Sequence, residues 1–139
     1  MSKLTFDTLA EAFDARLGTL KNGKGVCDGR AAAAERPLSY WGNALAGEVG
    51  ELCNMIKKLD RGDYGLNDVV TYEKTGEMLS IRVLVGKELG DAVAYLQVLA
   101  SRVGVDLGEA VVDKFNEISS RGKSPVFIER SNGEFFVRD

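Results

Sequence analysis

The chain has 139 residues, 45% of them apolar and 28% charged, and carries a formal net charge of −3. That length suits one domain with a single core, and a slight acidic excess gives no electrostatic reason to expect a nucleic-acid polymer as partner. Histidine is absent, which excludes triads built on an imidazole base and Cys2His2 zinc sites.

Apolar residues at Leu4, Phe6, Leu9, Ala10, Phe13 and Leu17 recur at helical intervals, predicting an amphipathic first helix from about Leu4 to Leu17. The stretch from Gly18 to Pro37 holds four glycines and several basic residues and reads as a loop, with Ala31–Ala34 a candidate helical turn. A second helix is expected from Ser39, as N-cap after Pro37, to about Leu59. Its apolar stripe is Leu45, Val49, Leu52, Ile56 and Leu59, and Glu48 and Glu51 sit beside that stripe. Residues 69 to 83 suggest a small inserted hairpin, Val69–Tyr72 and Met78–Ile81 flanking Lys74-Thr75-Gly76, with a short helix as the alternative.

The third helix, about Val85 to Val103, is apolar nearly all round, the pattern of a central buried helix. Glu88, Asp91 and Tyr95 share one of its faces. Asp106 caps a fourth helix running to Arg121, with Ala110, Val111, Phe115 and Ile118 expected on its buried side. The tail pairs Val126-Phe127-Ile128 with Phe135-Phe136-Val137 around Asn132-Gly133, a strong hairpin signal.

Two acidic pairs stand out: Glu48 with Glu51, and Glu88 with Asp91. A spacing of three residues puts both acids of a pair on one face of a helix. One such pair is most simply a solvated face, but a second on the most apolar helix cannot be turned wholly to water. Two such helices packed together gather four negative charges, a costly arrangement unless a cation binds it. With only oxygen donors available, the ion would be hard: Mg2+, with Mn2+ as substitute. A histidine-dependent di-iron bundle is ruled out. No run of the ~20 apolar residues needed to span a bilayer is present, and no signal peptide is recognisable, so no membrane association is expected. Cys27 and Cys53 match no zinc or redox spacing and read as free thiols of a cytoplasmic protein.

Leu45-Ala46-Gly47-Glu48-Val49-Gly50-Glu51-Leu52, followed by Glu88-Leu89-Gly90-Asp91-Ala92-Val93-Ala94-Tyr95-Leu96, closely resembles the MazG-like nucleotide pyrophosphohydrolases. These belong to the all-α NTP pyrophosphohydrolase superfamily, with the dimeric dUTPases and dCTP pyrophosphatases. The segments Val105–Val111 and Asp113–Glu117 look like that family's last core helix. The resemblance implies an all-α fold, a MazG-like four-helix bundle core over residues 38–121. One β-hairpin is inserted within 62–84 and another follows at 124–138, all in a single domain of residues 1–139.

It also implies Mg2+-dependent hydrolysis of a (d)NTP between the α and β phosphates, giving a monophosphate and pyrophosphate. Metal ligands would be Glu48, Glu51, Glu88 and Asp91, with Glu48 or Glu51 also accepting a proton from water. Trp41, Lys57, Tyr95, Lys114 and Asn116 are candidate substrate contacts, beside Lys58. Each has a plainer reading: Trp41 and Tyr95 as core aromatics, Asn116 on an exposed helix face, and the lysines of the second helix as partners of its dipole. A homodimer or homotetramer is expected. dGTP is the first base to test, with dCTP and dUTP open. A spacer of 37 positions from Glu51 to Glu88 is longer than family members usually show. A non-catalytic helical relative that binds nucleotide or protein, and a phosphoribosyl-ATP pyrophosphatase, are the alternatives.

Overall fold

A computed structural model of the chain describes residues 5–19, 36–131 and 134–138. The expected loop from Gly18 to Pro37, with its alanine run and Cys27, lies almost wholly outside them. The elements are α1 (Phe6–Thr19), α2 (Leu38–Asp60), β1 (Val69–Thr71), β2 (Met78–Ser80), α3 (Ile81–Val103), α4 (Leu107–Gly122), β3 (Phe127–Ser131) and β4 (Glu134–Arg138). The fold is mostly helical, with two small antiparallel hairpins, β1–β2 and β3–β4.

Helix α2 begins one residue earlier than expected, and Ser39 is not its cap. Pro37 occupies the boundary with φ −65° and ψ 153°, without a side-chain cap, and its carbonyl accepts from Tyr40 N at 3.0 Å. The fixed φ of proline suits a helix start, so the turn closes without a hydroxyl. At the other end Gly62, at φ +76°, donates to the Leu59 carbonyl, and Asp63 N donates to that of Lys58. This αL termination turns the chain back sharply. Tyr64 then donates its hydroxyl to the Met55 carbonyl at 3.3 Å, pinning the loop to α2.

The inserted hairpin has Val69 opposite Ser80 and Thr71 opposite Met78. Its turn is closed by Tyr72, whose N–H donates to the Glu77 carbonyl and whose carbonyl accepts from Thr75 N and Gly76 N. Gly76 takes φ +75° there, a conformation that glycine adopts without steric cost. Strand β2 runs directly into α3, whose cap is Ser80: its Oγ accepts from Val83 N at 3.3 Å. Thus α3 starts four residues before the expected Val85. Asp106 caps α4 as expected, accepting from Glu109 N at 2.9 Å.

The core lies between α2 and α3. Trp41, wholly buried, packs with Tyr95 and Val98, and Tyr40, Ala44, Leu45 and Leu99 close around them. Helix α3 is buried on more than one side: Ala92, Tyr95 and Val98 are buried, and so are Ala94, Gln97 and Ala100. Leu89, Val93, Leu96 and Val103 form an exposed stripe, so the expectation of a helix buried nearly all round is corrected along that stripe. Helix α4 also departs from expectation. Val111, Phe115 and Ile118 are exposed, as is Ala110, whereas Gly108 and Ser119 are buried. Periodicity identifies which residues share a face, not which neighbour that face meets. Here the inner side of α4 is occupied by α1 and by β3.

Candidate metal centre

Two glutamates rise from α2 because residues three apart in a helix project on one side, and α3 brings Glu88 against them. Carboxylate oxygens of Glu48, Glu51 and Glu88 all lie within 4.8 Å of one another. Asp91, one turn beyond Glu88, stands close enough that its charge acts on both Glu48 and Glu88. The two acidic pairs, distant in sequence, therefore converge at the α2–α3 interface.

Their burial is graded. Glu88 is 8% exposed, Glu48 is half-buried, and Glu51 is exposed. Burial, first, and then the charges of Asp91, Glu51 and Glu88 push the Glu48 carboxyl above its ordinary pKa, against a smaller opposing pull from Lys74. Glu88 is raised by burial and then by Glu51; Lys74 and a hydrogen bond with Glu48 act the other way. The Oε2 atom of Glu88 is buried with no hydrogen-bond partner. Such an orphaned carboxylate oxygen is costly, and a divalent cation held by Glu48, Glu51 and Glu88 would offset that cost. A set of oxygen donors alone matches Mg2+ or Mn2+ chemistry.

The other expected site residues separate into those near the cluster and those committed elsewhere. Trp41 is 0% exposed, edge-on to Tyr40 with ring centroids 5.0 Å apart and 6.3 Å from Tyr95. Stacking on a base requires an open ring face, so that expectation gives way to the core anchor. Tyr95 is the second aromatic of the same cluster. Asn116 is used up by β3: its Oδ1 accepts from Ile128 N and its Nδ2 donates to the Ile128 carbonyl, both at 2.8 Å. It is a clamp between α4 and the C-terminal hairpin, not an exposed polar contact. Lys114 pairs with Glu117 on the surface of α4 at 2.7 Å.

Lys57 sits in the last turn of α2, and at about 100° per residue it points away from the acidic face. Lys58, seven residues or roughly two turns beyond Glu51, follows the acids on their own side. Cys53 is a free, exposed thiol on α2.

One cationic group near the acids has no counterpart among the expected site residues. Lys74, in the β1–β2 turn, is held above its ordinary pKa, first by Tyr72 and then by Glu88 and Asp91, with burial opposing. The available signal was position: this lysine lies at the tip of a hairpin inserted between the two acidic motifs. Away from this centre, α1, α3 and the start of α4 line a cavity of about 210 Å3, with Phe6, Gln97, Ser101 and Gly108 on its walls.

Among the described residues, no helix is long and apolar enough to cross a membrane. The chain is similar to the Gene 37 protein of Mycobacterium phage L5, with 32% identity over 99 residues, 71% of this chain and 74% of the phage protein. No family model matches it, and no solved structure does.

Proposed function

This chain belongs to the family of the Mycobacterium phage L5 Gene 37 protein, and we propose that it is a Mg2+-dependent nucleoside triphosphate pyrophosphohydrolase with a MazG-like helical core. The reaction is cleavage of a (d)NTP between the α and β phosphates, releasing a monophosphate and pyrophosphate. One observation carries the reading: Glu48, Glu51 and Glu88 meet within 4.8 Å, and Glu88 also holds a buried Oε2 with no hydrogen-bond partner among the described residues.

Glu48, Glu51 and Glu88 would hold the ion, and Asp91 would add negative charge beside them. When bound, Mg2+ stabilises charge on phosphate oxygens and makes a coordinated water more acidic. The protein's own contribution is placement and proton transfer. Glu88, fixed on the buried side of α3, sets the depth of the site. Glu48 and Glu51 project from α2 toward the substrate side, and the more exposed Glu51 has the freer access to a proton on the attacking water.

The exposed apolar rows on α3 and α4 fit the further reading that the protein works as a homodimer or homotetramer. Uncovered stripes of this kind are what subunit contacts bury.

The test is a panel of dNTPs, beginning with dGTP, incubated with Mg2+ and resolved by product. Pyrophosphate and a monophosphate are expected. Release of orthophosphate and a diphosphate would reject the reaction. Glu51→Gln should abolish turnover with the helical circular dichroism spectrum intact; a non-catalytic relative would turn over nothing even as wild type.

A further inference from the structure

The β1–β2 hairpin lies along the first two turns of α3. Backbone bonds from Ile81 N to the Asp68 carbonyl and from Arg82 N to the Leu66 carbonyl, both 2.9 Å, fix its base. From Ser80 back to Glu77, opposite Tyr72, a strand climbs roughly 10 Å at ~3.3 Å per residue. From Ile81 to Glu88 the helix rises about the same distance at ~1.5 Å per residue. The tip of the hairpin therefore arrives level with the buried acid. Contacts agree: Lys87 Nζ lies 5.1 Å from the Tyr72 ring centroid, and Lys74 Nζ lies 5.9 Å from it. Tyr72 is thus flanked by two ammonium groups beside the residue pair Lys87-Glu88.

Resting on the pyrophosphohydrolase reading, we propose that this hairpin is the phosphate-holding arm of the site, with Lys74 as its principal contact to the β and γ phosphates. The charges of Lys74 and of Glu48, Glu88 and Asp91 act on one another, so without a cation Lys74 is drawn toward these acids. Once divalent charge balances the acids, Lys74 is left as a positive group at the rim, exposed and on a short tether. A triphosphate chain bridging the metal would present oxygens there. An ammonium offers three donors to such oxygens, and Tyr72 adds a hydroxyl. The flanking Lys87 makes the rim positive on its α3 side also. The insertion that lengthens the spacer between the acidic motifs thereby supplies the charge that the acidic floor lacks.

The competing role for Lys74 is that of a resident counter-ion, which only offsets the acids. The two roles differ in what Lys74→Ala changes. Wild type, Lys74→Ala and Lys74→Arg are titrated with Mn2+ alone, then with inorganic pyrophosphate at saturating Mg2+, and their dNTP kinetics are measured. The arm predicts that Lys74→Ala weakens pyrophosphate roughly tenfold, the scale of one lost charge-assisted contact. It also predicts a KM raised by a similar factor, Mn2+ affinity unchanged or tighter, and recovery in Lys74→Arg. Pyrophosphate affinity and KM equal to wild type in Lys74→Ala would overturn the arm and leave the hydrolase standing. A wild-type protein that binds no Mn2+ and cleaves no nucleotide would overturn both.

Discussion

Carboxylate oxygens of Glu48 on α2 and Glu88 on α3 lie within 4.8 Å of each other, two carboxyl groups held together across a helix interface. Both titrate above the ordinary carboxyl value of 4.5, and burial is the first cause in each. Below about that value, folded and unfolded chains both carry the protons, and the cluster costs nothing. As pH rises toward the raised native values, the unfolded chain loses its protons first, so the metal-free protein loses stability across that window and stays lower above it.

Metal binding needs both groups ionised, so stabilisation by Mg2+ should grow over the same range. Thermal melts with and without Mg2+ between about pH 5 and pH 8 test this. A shift that increases with pH is expected; an equal shift at every pH would contradict it.

Replacing Glu88 with Gln removes a buried like charge and gives the unpartnered oxygen's position a neutral amide. The metal-free protein should melt a few degrees higher, and its response to Mg2+ should disappear. A lower melting temperature with the Mg2+ response retained would show that Glu88 serves the fold, not the ion.

Gly108, buried at the start of α4, marks a close approach of α1. An added Cβ would stand 2.9 Å from Phe6 Cβ and 3.3 Å from the capping Asp106 Oδ1. Gly108→Ala should therefore cost about 1–3 kcal/mol, as overpacking does, with hydrogen exchange rising first in α1. Unchanged protection of α1 would show that the helix shifts to make room.

Asn116→Ala leaves both backbone groups of Ile128 without their partner. A loss of about 1–3 kcal/mol is expected, read as a lower melting temperature with the helical signal before the transition unchanged. Nucleotide turnover measured well below that transition should persist, because Asn116 bonds β3. A specific loss of turnover in the folded variant would restore Asn116 as a substrate contact.

Leu89, Val93, Leu96 and Val103 form an exposed row on α3 that the proposed assembly would cover. Light scattering should give a dimer or tetramer for wild type and a smaller species for Leu96→Glu. A stable wild-type monomer would contradict the assembly.

Much of the architecture was legible in the sequence because local rules dominate there. Asp106 caps where a short acceptor precedes an apolar rhythm, and the turn at Gly76 separates the two inserted strands. The convergence of Glu48, Glu51 and Glu88 was legible too, since like acids at helical spacing on two apolar helices need a shared reason. What could not be read is which neighbour a face meets. The row Val111, Phe115 and Ile118 looks like a core face, yet it is exposed, because α1, α3 and β3 take the other side of α4. Trp41 and Asn116 fell to the same ambiguity: an indole serves a base or a core, and an amide serves a ligand or a neighbouring strand. Only packing distinguishes them. Lys74 was hidden for another reason, because its nearness to the acids depends on a hairpin and a helix rising by equal amounts.

The central claim is that one divalent ion is gripped jointly by α2 and α3. Anomalous diffraction at the manganese edge from crystals soaked in Mn2+ measures this most directly. A peak coordinated by carboxylate oxygens of Glu48 or Glu51 from one helix and Glu88 from the other is predicted. Clear density for all these side chains, with no peak among them, would contradict the account.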